Sequence, residues 1–408
     1  MSNQFLTISD ITYEAAMILK NNLKLGSRVN RQYDSSFARS GAKIGNVVNI
    51  RKPPRFVGRS GQTAKFEGIT EQYVALTLST QFGVDLNYSS ADMTLSMDNF
   101  RSRYLAPAVA TVANKIDADG LALYNQVPWM VGTPGTTPNA LLTYMTAGAI
   151  LSEEAAPRDD MRSLMLNPLS MATIADANKA LFNPQTAIGE QYRSGLMSQA
   201  AGWMWYEDQN VATHTVGALG GTPLVNGASQ TGSSLITDGW TAAAATRLKK
   251  GDVFTIANVY AVNPQNRTST GRLRQFVVTA DSASDGSGNM TIPIYPAITP
   301  PNSDGTGAQF QTVNASPAND AALTVIGSAS TISPQNLGFH RDAIALAMVD
   351  LEMPRGAVEA ERVSDEDAGI SIRIVHYYDG VSDISGARLD VLYGWCLVYP
   401  ELCVRIAA

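Results

Sequence analysis

The sequence predicts an α+β protein whose main domain is interrupted by an all-β module. Three observations carry that expectation. Apolar residues recur at helical spacing over 98 to 126, and helices are expected again over 138 to 156 and 169 to 182. From about 216 to 335 the chain is poor in charge, and short β-forming runs alternate with Gly, Ser, Thr and Asn clusters. After 336 longer strand-like runs return.

The elements follow in order. Residues 8 to 25 read as an amphipathic helix, with Asp10 as its N-cap, Ile11, Ala15, Ile18 and Leu19 on one face, and Gly26 as its stop. Val47–Ile50 and Val74–Leu78 read as two strands of a long hairpin. Over 35 to 66 stand seven basic residues, Arg39, Lys43, Arg51, Lys52, Arg55, Arg59 and Lys65, and no acidic one. Two readings stay open for this segment: a solvated loop, or an arm reaching an acidic patch on a neighbouring subunit. On the second, Arg51, Lys52, Arg55, Arg59 and Lys65 are candidate inter-subunit contacts.

The helix over 98 to 126 places Leu105, Val109, Val112, Ile116 and Leu123 on one face, with Pro107 near its start. Strand-like residues 161 to 167 precede the helix at 169 to 182, and another helix is expected over about 187 to 200. The β module contains runs at 253–256, 259–262, 274–279, 291–294, 309–313 and 323–326, which suggest a small barrel or sandwich. The last strands are expected at 343–351, 370–376, 387–392 and 396–399.

Composition narrows the function. A chain of 408 residues has length for two or three domains and a large core. Only 16% of residues are charged, below the roughly 25% of an ordinary soluble protein, which fits a surface that meets other protein. A net charge of −6 argues against a dedicated nucleic-acid binder, though not against loose enclosure of DNA. Cys396 and Cys403 are too few for a disulfide framework and read as reduced, buried thiols. The N-terminus shows no secretory signal, so folding in a reducing cytoplasm is expected. No apolar run approaches the ~18 residues of a membrane span.

A search for chemistry yields no catalytic, metal or cofactor site. His214, His340 and His376 share no ligand spacing with one another or with cysteine. His340-Arg341-Asp342 would place alternate residues on opposite faces of a strand, so Arg341 and Asp342 are expected in a structural ion pair. There is no G-x-S-x-G elbow, and Ala218-Leu219-Gly220-Gly221 lacks the lysine of a phosphate loop. The aromatic patch Trp203-Met204-Trp205-Tyr206 reads as core or subunit contact rather than a sugar platform.

Four stretches resemble the tailed-phage major capsid proteins, and among them the coat proteins of short-tailed enterobacterial phages that carry an inserted β domain. They are Gly189-Glu190-Gln191-Tyr192-Arg193-Ser194-Gly195 with Gln199-Ala200-Ala201-Gly202-Trp203; Lys249-Lys250-Gly251-Asp252-Val253-Phe254; Asn336-Leu337-Gly338-Phe339-His340-Arg341-Asp342-Ala343-Ile344; and Tyr393-Gly394-Trp395 with Tyr399-Pro400-Glu401. The resemblance implies an N-terminal arm (1–35), an extended loop (36–82), a peripheral domain with a spine helix (83–130), a first axial part (131–215), an all-β insertion domain (216–335), and the return and C-terminus (336–408). It implies a shell subunit of pentamers and hexamers, scaffolding and portal partners, double-stranded DNA enclosed without specific binding, and a place in the virion after assembly in the host bacterial cytoplasm. It brings no catalytic residues. Inter-capsomer contact through the loop at 296–308 is implied too, where Asp304 is the only charged residue and so the contact candidate. The alternatives are another self-assembling shell or tail protein, and a carbohydrate-active enzyme with a carboxylate pair in a cleft and the aromatic patch exposed.

Overall fold

The computed structural model describes residues 8–32, 45–58, 61–64, 66–89, 104–177, 199–303, 308–354, 356–365 and 370–408. The helix expected near 187–200, most of the Gly189–Trp203 stretch, Arg59, Lys65 and Asp304 therefore lie wholly or largely outside the described residues. The chain divides into two compact units. One comprises Met1–Ile50, Tyr73–Gly120 and Ile344–Val398, the other Arg51–Gln72, Leu121–Ala343 and Tyr399–Ala408.

The first unit is built on the long strand Ile384–Leu397. Thr80–Ser89 runs antiparallel along one of its edges, and Ile370–Asp379 and Ile344–Val349 share the other. Glu359–Asp365 extends the sheet beyond Ile370–Asp379. Helix α1 (Ile8–Asn22) buries Ala15, Ala16 and Leu19 and packs on the two outer strands, so its apolar face is covered by its own unit. It stops three residues earlier than the sequence suggests, and Asp10 lies inside it rather than capping it. The stop is made by a second helix, α2 (Ala106–Leu121), whose buried Asp117 accepts the backbone N–H groups of Lys24 (2.6 Å) and Gly26 (3.0 Å).

Val109, Val112 and Ile116 are buried on the core face of α2, as expected, and so is Leu105 just before it; Leu123, expected on the same face, falls beyond the helix in a 3-10 turn (Ala122–Gln126) and is only partly buried. Trp395 lies across its end and donates its indole N–H to the Ile116 carbonyl at 3.0 Å. Gly120 permits that approach, since a Cβ there would stand 2.6 Å from both Leu25 and the Trp395 ring. Gly120→Ala is therefore expected to cost about 1–3 kcal/mol of stability through overpacking, more than its gain of up to ~1 kcal/mol in helix propensity. A thermal midpoint equal to or above the parent's would contradict this.

In the second unit a mixed sheet runs in the order Met130–Val131, Cys403–Ala407, Ile332–His340, Arg162–Leu166, Trp203–Glu207, Gln199–Ala200. All five residues of Arg162–Leu166 are buried, as a central strand requires. Helices α3 (Leu141–Glu153) and α4 (Pro168–Ala177) pack on it through Tyr144, Ile150, Leu151, Met171 and Ile174. Trp203 and Trp205 belong to this core; their indole N–H groups donate to Tyr144 (3.1 Å) and Ala200 (2.9 Å) carbonyls. The aromatic patch is thus a core element, and the exposed platform of the enzyme alternative is absent from it.

The described residues from Gly221 to Val325 form strands and loops with no helix. Six strands follow the order Leu323–Val325, Val253–Val262, Ser269–Val278, Met290–Ile298, Gly232–Trp240, Gly221–Val225. The two ends meet: the Val225 N–H donates to the Ala321 carbonyl at 2.9 Å, and Leu224 bridges Ala322. The sheet thereby closes into a barrel, which removes its open edges. Phe254, Ile256, Phe276, Val278, Ile292, Ile294 and Trp240 fill it. The run expected as a strand at 309–313 is not one; it contributes a single bridge, Val313 to Ala261.

Candidate assembly surfaces and the junction behind them

Strands Val47–Lys52 and Gln72–Thr77 pair as the sequence predicts, and residues 53–71 between them contain no helix or strand among the described residues. This is the basic arm. Its candidate contacts are placed as follows. Arg51 lies 3.6 Å from Glu71, both well exposed. The Lys52 ammonium stands 5.0 Å from the centre of the Tyr399 ring. Arg55 reaches Glu401 at 3.3 Å, and Glu401 also accepts the Tyr295 hydroxyl at 3.2 Å. Burial, reinforced by Glu401, pushes the Tyr295 hydroxyl well above its ordinary pKa. Glu67 accepts the Val57 and Gly58 N–H groups, each at 2.8 Å. Phe66 is 96% exposed and Ile69 69% exposed, so the far part of the arm presents apolar as well as basic groups.

Beside the arm base is a cleft of about 160 Å³ lined by Lys52, Arg55, Arg274, Glu154 and Glu401 among others. Its two carboxylates are each engaged by an arginine, Glu401 by Arg55 and Glu154 by Arg274. Among the described residues no group of three or more His, Cys, Asp or Glu is placed to hold a metal ion.

The three histidines stand apart in function. His340 is buried and lies 3.1 Å from Asp159 and 3.8 Å from Asp342. Burial opposes ionisation of Asp159, but hydrogen bonds from His340 and the Met161 N–H outweigh it and lower its pKa. Asp342 is thus found beside His340, in a 3-10 turn (Arg341–Ala343) between strands rather than on a strand. His376 lies on Ile370–Asp379, where burial lowers its pKa. Cys396 and Cys403 are buried and not joined in a disulfide, and burial raises the Cys403 thiol well above its usual range.

His214 belongs to a network that sequence reasoning did not assemble. The Lys249-Lys250-Gly251-Asp252 turn brings the chain into the barrel, with Gly251 at φ +98°. Asp252, 2% exposed, accepts the N–H groups of Lys249 (2.8 Å) and Gly217 (3.1 Å) and lies 2.8 Å from His214 Nε2. A carboxylate only accepts, so Nε2 carries the proton and Nδ1 faces the Tyr124 hydroxyl at 3.2 Å. Arg405 closes the group. It is fully buried, donates Nη1 to the Gly251 carbonyl at 2.8 Å, and sits 5.7 Å from the Tyr124 ring centre. Burial lowers its pKa to about 10, while Tyr124 and Asp252 favour the charged form. Burial likewise raises the Tyr124 hydroxyl. The available signal was Arg405 itself, a lone basic residue in the apolar run Cys403–Ala408.

A second seam runs along Ser269–Val278. Arg274 pairs with Glu154, both more than nine-tenths buried, and lies 4.7 Å over the Trp129 ring, whose N–H donates to the same carboxylate at 3.0 Å. Arg272 reaches Glu153 at 3.2 Å. The Gln275 side chain pairs with both backbone groups of Met130, at 2.6 and 3.0 Å. Polar groups of the barrel are thus matched one for one with groups of the mixed sheet and the end of α3.

The family model described as "P22 coat protein - gene protein 5" matches residues 1–406. Among solved structures, the chain is similar to that of Mycobacterium phage Che8, with 12% identity, 94% of this chain and 90% of that one covered, and a TM-score of 0.49. It is similar to the capsid structure of cyanophage P-SCSP1u, at 11% identity, 89% and 84% coverage and a TM-score of 0.43. The CUS-3 coat protein I-domain matches at 28% identity over 28% of this chain and 95% of that one, with a TM-score of 0.18. No curated protein sequence matches the chain. The match along all but the last two residues places the chain in the P22 coat protein family, and the protein is a phage major capsid protein that forms the shell.

Proposed function

We propose that the chain assembles through pentamers and hexamers into an icosahedral shell around double-stranded DNA, and that the basic arm carries one of the contacts between subunits. The family match over residues 1–406 carries this reading. One sequence that serves two kinds of ring needs repeated, adjustable contacts, because heterologous contacts close only where the geometry bends correctly. The arm suits that: it is basic, has exposed apolar side chains, and none of its described residues between 53 and 71 is buried. A net charge of −6 lets DNA be enclosed without being held tightly. Assembly takes place in the host cytoplasm, with scaffolding and portal proteins as partners, and the chain performs no catalysis. The 216–335 segment acts as an insertion domain within the axial and peripheral parts of the fold.

Arg55 is paired with the largely buried Glu401, whereas Arg51 meets Glu71 in the open, so the cleaner test reverses Arg51 together with Arg59. Arg51→Glu with Arg59→Glu is expected to leave a folded monomer by circular dichroism and to reduce shells to few or none by negative-stain electron microscopy. Normal-sized particles at normal yield would overturn the arm's role.

A further inference from the structure

The arm is held by the barrel. Gln309 donates its side-chain amide to two carbonyls on opposite limbs of the arm, that of Arg55 and that of Gly68, the latter at 3.3 Å. Arg267 donates Nη2 to the Phe56 carbonyl at 2.7 Å. The guanidinium is itself braced, with Nε on the Ala308 carbonyl at 3.1 Å and Nη1 on that of Gln265 at 2.9 Å. The turn that presents it is fixed by Asn263, whose side chain accepts the Gln265 and Asn266 N–H groups at 2.9 and 3.3 Å. Arg267 stands in the left-handed region at φ +59°, a conformation uncommon outside glycine. Tyr295, also of the barrel, holds Glu401, which holds Arg55. Against this, the contacts described within the arm are local and exposed: Arg51 with Glu71, and Glu67 with Val57 and Gly58. The barrel thus grips the arm's backbone at residues 55, 56 and 68, in addition to the side-chain contacts of Arg55 with Glu401 and of Lys52 with the Tyr399 ring.

We propose that the barrel is a cradle that sets the direction of its own subunit's arm, with Arg267 and Gln309 as the gripping side chains. This rests on the reading that the arm meets a neighbouring subunit. It gives the β module a part in assembly apart from any contact its outer loops make: it determines where the basic and apolar end of the arm is presented. Because both grips are to backbone carbonyls, they do not depend on the arm's side chains.

The test is limited trypsin digestion of the monomer carrying Arg267→Ala and Gln309→Ala, with cleavage after Arg51, Arg55, Arg59 and Lys65 followed by mass spectrometry. Loss of the grips is expected to raise the rate of cleavage in the arm about tenfold, because local opening sets that rate, while thermal unfolding of the barrel stays within a degree or two of the parent. A rate within twofold of the parent overturns the cradle. Arg267→Met alone, which keeps the aliphatic stem and removes the donors, is the second variant if the double substitution does not fold, and the same criteria apply to it. Shell assembly separates the two readings. Faster arm cleavage with normal shells upholds the cradle and overturns the arm's contact with a neighbour. Faster cleavage with malformed shells upholds both.

Discussion

Asp252→Ala is expected to cost about 3–5 kcal/mol of monomer stability, the range for breaking a buried charged group out of its network. The residue is 2% exposed and serves two backbone N–H groups and His214. Alanine strands all three donors in a space closed to water, and each buried unsatisfied group costs about 1–3 kcal/mol. It also removes the negative charge near Arg405, whose Nε and Nη2 already lack hydrogen-bond partners. The measurement is the urea midpoint of the monomer, read with the denaturant slope so that a change in cooperativity is seen. A shift under ~1 kcal/mol would show that the network is not what fastens the barrel at its point of chain crossing. Asp252→Asn combined with Arg405→Met should recover part of the loss, since removing both charges avoids an uncompensated one.

Arg274→Ala should be of similar size, about 3–5 kcal/mol, and for a related reason. Glu154 would be left more than nine-tenths buried with the Trp129 N–H as its remaining partner in the seam, and Trp129 would lose the guanidinium packed on its face. The neighbouring Arg272–Glu153 pair gives an internal control. Each of its side chains is about one-third exposed, so Arg272→Ala is expected to cost no more than about 1 kcal/mol. Equal effects from the two alanine substitutions, by the same urea titration, would mean that burial of the seam does not set its strength.

Much of the fold was legible because many elements carry a clean period. The apolar stripe of α2, the fully buried run Arg162–Leu166 and the run Ile344–Val349, buried except for Val349, were placed to within a few residues. Elements were misjudged where glycine or asparagine serves packing rather than a turn. Strand Ile384–Leu397 read as two pieces, 387–392 and 396–399, on either side of Gly394. That glycine is a close approach, where a Cβ would lie 2.2 Å from the Thr77 carbonyl. Val253–Val262 also read as two, divided by Asn258, which makes a bulge at φ +62° within one strand. Gly232–Trp240 was missed because its glycines and polar residues mask the alternation of Leu235 and Thr237 inward with Ile236 outward. The charges of the arm were legible as a cluster, but their partners were not. Glu401 and Tyr399 lie more than three hundred residues away, and no local pattern records such a pairing.

The junction shows the same limit. Lys249-Lys250-Gly251-Asp252 was visible as a distinctive turn, whereas the convergence of Tyr124, His214 and Arg405 upon it depends on tertiary structure.

The most direct test is cryo-electron microscopy of particles purified after expression of the chain, alone and together with a candidate scaffolding protein. Closed icosahedral shells of five- and six-membered rings are expected. In each subunit the Gly221–Val325 barrel should be closed, and Arg267 and Gln309 should lie on the backbone of that subunit's own arm. Discrete soluble oligomers without closed shells would contradict this, as would shells in which the barrel is detached from the arm of its own subunit.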